Sequence, residues 1–166
     1  MSSVRDARDE YLSENGFTLA SYTAAWGDAS FFGMKLQIPN TRARARAIAQ
    51  HDLHHVATGF GTDFAGEGEI SAWEIAAGLP ESTYVAAIIC LGFTLGMLVA
   101  PRRTVRAFAA GREARSLFRD NVPYDDLLTM SVAELRRHVG VADRGLVIAR
   151  GLHSRAPART DRPTTA

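Results

Sequence analysis

The sequence predicts an all-α fold: a single compact multi-helix domain with a buried apolar helix. Three observations carry that reading. Apolar residues recur at helical spacing through most of the chain, glycines close many of the resulting segments, and no convincing alternation of apolar and polar residues marks a strand. At 166 residues the chain is long enough for one domain with a sizeable core and too short for two comfortable ones. The domain is expected to span 1–149. The stretch 150–166, rich in Arg, Pro and Thr, reads as a disordered tail.

Residues 3–14 open the chain with charges around Val4, Ala7, Tyr11 and Leu12, an amphipathic helix ending near Asn15 and Gly16. A short second helix is expected over 17–26, followed by an irregular aromatic-containing segment over 27–40. The string 41–56 reads as a strong helix capped by Asn40 or Thr41, rich in alanine and carrying an arginine face at 42, 44 and 46. Residues 58–63 break it, and Gly66 and Glu67 begin another helix that runs to about 78–80. The run 84–100 is apolar apart from Thr94. It reads first as a buried core helix, with the lining of an apolar ligand tunnel or a dimer interface as alternatives. As a membrane span it falls short of the ~20 residues required. A basic amphipathic helix over 102–119 and a last short one over 132–139 complete the pattern.

Composition removes some classes of function. The net charge is +1 with 22% charged residues, so nothing calls for nucleic acid or a strongly anionic partner. Cys90 is the sole cysteine, which excludes an intramolecular disulfide, and its apolar setting predicts a small buried hydrophobe. The N-terminus alternates charge and lacks the apolar core of a secretory signal, so a cytoplasmic protein is expected.

The chemistry concentrates in His51-Asp52-Leu53-His54-His55. Positions 51 and 55 are four apart and 52 and 55 three apart, so His51, Asp52 and His55 share one helical face. Imidazole nitrogen and carboxylate oxygen suit zinc first, with iron, manganese or nickel as alternatives. The glycine-rich turn after the helix lets Glu67 fold back to complete the shell. The predicted divalent-metal ligands are therefore His51, Asp52, His55 and Glu67, with His55 and Glu67 as the catalytic candidates. His54 is the rival ligand, or a residue that hydrogen-bonds one. Asp63 and Trp73 are candidates for the same supporting role or for a substrate wall, Trp73 being as readily a core residue. Glu69 and Glu74 read as solvated charges, with the edge of the site as the alternative. Against all of this stands the plain reading of a histidine-rich polar helix face.

The run from His51 to Glu67, HDLHHVATGFGTDFAGE, with its Thr-Gly-x-Gly-Thr-Asp turn at 58–63, resembles the signature of the ubiquinone (coenzyme Q) biosynthesis protein 4 family. Weaker similarity extends over 38–141. His54 stands where that pattern usually has tryptophan, and the run 66–78 looks like that of a bacterial branch. The resemblance implies an all-α fold, a metal held by the four motif residues, an apolar cavity for a prenylated or other hydrophobic aromatic molecule, and homodimers in peripheral contact with the inner face of a membrane. The implied activity is oxidative decarboxylation of an aromatic ring carboxylate, with hydroxyl in its place. A second reading is a metal-stabilised lipid-binding scaffold without its own turnover. A third, a metal-dependent phosphohydrolase, borrows only the His-Asp pair and lacks candidates for its further ligands.

Overall fold

Ser3 starts the first helix, α1 (Val4–Glu14), through a reciprocal cap: the Asp6 amide donates to the Ser3 hydroxyl, and the Asp6 carboxylate accepts from the Ser3 amide. The computed structural model describes residues 2–20, 26–31, 34–39 and 41–149. The tail expected beyond Arg150 lies outside these residues, as do residues 21–25 of the expected second helix. Within the rest of that stretch, Phe17 and Thr18 are not helical and Trp26 opens a strand.

The segment read as irregular is an antiparallel hairpin, β1 (Trp26–Phe31) and β2 (Met34–Pro39), in a register that pairs Trp26 with Pro39 and Phe31 with Met34. A period-two signal was present in Met34-Lys35-Leu36-Gln37-Ile38, but it is short and follows a run with no such pattern. Elsewhere the described residues form the expected all-helical architecture. It comprises α2 (Arg42–Thr58), α3 (Phe64–Ala77), α4 (Thr83–Val99), α5 (Pro101–Gly111), α6 (Tyr124–Thr129), α7 (Val132–Val139) and α8 (Gly145–Ala149), with a single 3-10 turn at Leu117–Arg119.

Local chemistry sets the ends that position the site. The Thr41 hydroxyl accepts from the Arg44 amide to start α2, and Gly59 ends it at φ +79°, a conformation that favours glycine. Asp63 then accepts from the Gly66 amide, so α3 begins at Phe64, two residues before the expected start at Gly66. Pro101 takes the first position of α5, where a missing N–H costs nothing. The basic helix stops at Gly111 rather than 119.

The main core gathers Val4, Leu53, Ile70, Trp73, Leu117, Leu127, Leu135 and Val139 from six elements. α3 lies at its centre, against α4 and α5. The approach of α3 to α4 is that of two backbones: a Cβ built on Gly68 would stand 2.3 Å from the Gly96 Cα. Only one face of α4 is therefore buried, at Val85, Ile89 and Gly96, and the expectation of a buried apolar helix holds for that face alone. Leu91, Met97, Leu98 and Val99 are exposed, Leu98 at 76%. Cys90 also lies on the exposed face, not in the core as expected. No helix among the described residues is long and apolar enough to cross a membrane.

Candidate metal centre

α2 carries His51 and His55 one turn apart, and the turn from Gly59 to Asp63 returns the chain so that the first turn of α3 places Glu67 opposite them. The His51 and His55 Nε2 atoms stand 3.1 Å apart. Glu67 reaches each of them at 3.6 Å, His51 through Oε2 and His55 through Oε1. One ligand atom from each of the three lies within 4.8 Å of the others, a grouping that could hold a metal ion. The site is open on one side: the Glu67 side chain is 41% exposed and His51 25%, while His55 is fully buried.

The far nitrogens of both rings are committed. His55 Nδ1 lies 2.9 Å from the Phe60 carbonyl oxygen, and His51 Nδ1 lies 2.8 Å from Glu74 Oε1. Both partners only accept, so each Nδ1 carries the proton and donates it. In the neutral rings the two Nε2 lone pairs then face one another, an arrangement that needs a proton or a cation between them. The electrostatics agree. Burial disfavours a charged His51, but the Glu74 and Glu67 carboxylates outweigh it and hold the His51 pKa well above the usual imidazole range. Burial and the neighbouring His51 charge push His55 down to about 4. Glu74, despite burial, is held at about 2 by His51 and His54. Burial also opposes ionisation of Glu67, but His51 and His55 prevail and keep it below its ordinary value.

The chain finds no match among protein-family models, curated proteins or solved structures. What it can do is therefore argued from its own donor set. Two imidazole nitrogens, freed to ligate by hydrogen bonds at their other ends, and one carboxylate form a donor set that could hold a metal ion.

The other sequence candidates fall in varied places. Asp52 does not join the three-residue group; it is buried on α2, and its charge acts on the Tyr11 phenol. His54 does not join the group: its Nε2 accepts from the Leu117 amide at 2.9 Å and its Nδ1 donates to Glu74 at 2.7 Å. Asp63 spends its carboxylate capping α3, and Trp73 is fully buried in the core against the His54 ring. Glu69 and Glu74 are not solvated; both are buried, Glu69 against Arg103 at 2.6 Å. The arginine face of α2 is also split, with Arg44 buried and Arg42 and Arg46 exposed. His138, the remaining described histidine, pairs with Asp120 elsewhere.

The sequence offered Glu74 at the site edge only as an alternative, and it did not point to Tyr11. Glu74 follows Glu67 by seven residues, two helical turns, so its placement on the same face of α3 was readable although its burial was not. Tyr11 gave no signal. Its ring stacks on His55, with centroids 5.3 Å apart and planes at 22°, and burial together with the Asp52, Glu67 and Glu74 charges holds its phenol protonated.

Proposed function

We propose that this protein binds one divalent ion, zinc in the first instance and iron or manganese as alternatives, between His51, His55 and Glu67, and acts on a hydrophobic aromatic or prenylated molecule that presents an oxygen to it. The observation that carries the reading is the facing pair of Nε2 atoms, both left as acceptors by the bonds at Nδ1. A bound divalent ion supplies Lewis acidity at that point. His55 keeps its ring fixed between Tyr11 and the Phe60 carbonyl. Glu67, the most exposed of the three, would complete the shell at the mouth of the site, where a substrate arrives. An aromatic substrate is supported by the rings around it: Tyr11 on His55, the half-exposed Phe17 next to Tyr11, and the exposed Phe64 one turn before Glu67.

The reaction class proposed is the one implied by the family resemblance, replacement of a ring carboxylate by hydroxyl. With oxygen taken from water the change releases CO2 and two electrons, so an oxidant such as dioxygen is a required co-reactant.

A second reading, a lipid-binding scaffold without turnover, is favoured by the apolar face of α4 and α5. Leu91, Leu98, Val99, Val105 and Phe108 are exposed there beside Arg102 and Arg106, a composition suited to a second copy of the chain or to the surface of a membrane.

Elemental analysis of wild type, His51→Ala and Glu67→Ala, prepared identically, tests the metal. About one equivalent in wild type and none in either variant is the expected result. No metal in wild type after reconstitution removes the proposal. Turnover lost in folded Glu67→Ala and His55→Ala supports the enzyme; copurified isoprenoid with no turnover in wild type supports the scaffold.

A further inference from the structure

We infer that Glu74 is a positioning residue for the metal ligand His51: one carboxylate oxygen, held from behind by His54, aims the His51 Nε2 at the ion. The role rests on the metal-binding reading above.

The chain of bonds has one direction. The Leu117 amide can only donate, so His54 Nε2, 2.9 Å away, must accept and the His54 proton must sit on Nδ1. That proton goes to Glu74 Oε1 at 2.7 Å, and the same oxygen accepts from His51 Nδ1 at 2.8 Å. His51 and His54 are three residues apart on α2, so both rings project from one face toward a single point on α3. The anchor is firm as well: the Leu117 carbonyl accepts from Gln50 Nε2 at 2.8 Å, so two side chains of α2 grip both backbone groups of one fully buried residue.

Glu74 is a costly residue for structure alone. It is fully buried, its ion pairs among the described residues are with His51 and His54, and its Oε2 has no hydrogen-bond partner there. A core that needed only an acceptor for two imidazole N–H groups would be served by an amide. A carboxylate adds negative charge behind the ring, which makes the opposite nitrogen a stronger donor to a cation.

The test compares wild type with Glu74→Gln, reading Co2+ and Zn2+ affinity by chelator competition, the visible spectrum of the Co2+ form, and the melting temperature of the metal-free proteins. Positioning is expected to weaken affinity about 10- to 100-fold and to alter the Co2+ spectrum in a variant that remains folded. An unchanged affinity and spectrum overturns it, whatever happens to stability. If the variant does not fold, nitrogen-resolved NMR of the Zn2+-loaded wild type decides. A retained Nδ1 proton on His51, with the shift on metal binding confined to its Nε2, supports the role; ligation through His51 Nδ1 overturns it. Failure of wild type to bind either metal is a different result, which removes the metal-binding reading and this role with it.

Discussion

The Tyr11 ring lies stacked on the His55 imidazole, 5.3 Å between centroids, although 44 positions separate them in the chain. α1 thereby closes one side of the candidate metal site, assisted by the hydrogen bond from the Thr62 hydroxyl to the Asn15 side-chain oxygen. Tyr11→Ala is expected to lower stability by about 2 kcal/mol, from the lost ring stacking and the apolar area uncovered. Tyr11→Phe keeps the stacking and is expected to change it by less than about 1 kcal/mol. Denaturant titration of the two variants distinguishes a ring contact from a role confined to the hydroxyl.

Asp52 lies outside the group formed by His51, His55 and Glu67. Asp52→Asn is therefore expected to retain about one equivalent of metal under conditions in which Glu67→Ala retains none. Metal loss in Asp52→Asn equal to that in Glu67→Ala would make Asp52 a ligand after all.

Gly68 and Gly96 meet backbone to backbone. A Cβ on Gly96 would stand 2.5 Å from the Gly68 Cα and 2.9 Å from the Thr104 hydroxyl, so Gly96→Ala must push α4 away from α3. The expected cost is about 2 kcal/mol, near 5 °C in Tm for a chain of this length. Thermal melts of Gly96→Ala and Gly16→Ala form the comparison, since Gly16 has nothing within 4 Å of its Cβ position and only its positive φ to oppose substitution.

Asp120 accepts from His138 and from the Val122 amide. Burial raises its pKa, but these bonds prevail and hold it below the ordinary carboxylate value. A carboxyl group whose folded pKa is depressed stabilises the fold above its unfolded pKa and loses that contribution as pH falls through the folded one. The unfolding free energy of wild type should exceed that of Asp120→Asn by about 1 kcal/mol at neutral pH. Urea titrations at descending pH should show the gap closing below the ordinary carboxylate range. A gap independent of pH would mean that the pairing does not involve the ionised carboxylate.

Much of the candidate site was legible because its geometry is local. A four-residue spacing puts His51 and His55 on one face of any helix, and Gly59 beyond the helix end marks where the chain turns back toward Glu67. Glu74 was harder. The same spacing rule places it two turns past Glu67, but a carboxylate on a helix is usually solvated, and nothing near it in the sequence announces the His51 and His54 protons that hold it in the core. Tyr11 was illegible for a simpler reason: its partner lies in another helix, and stacking leaves no periodic trace.

The same division runs through the fold. Sequence alone determined the ends of α1, α2 and α7, because caps, alanines and helix-ending glycines act within one or two turns: Ser3, Thr41, Ser131, Gly59 and Gly140 mark their boundaries without help from the rest of the chain. By contrast, α6 and α8 were not expected, and α5 stops well before 119. Tertiary structure decided which sides of those helices are covered. α4 is apolar around its whole circumference, so its own residues do not say that the Gly96 face meets α3 while Cys90 and Leu98 meet solvent. The choice belongs to Gly68 on the opposing helix, where the missing side chain lets two backbones touch, and that complementarity exists only once both surfaces have formed.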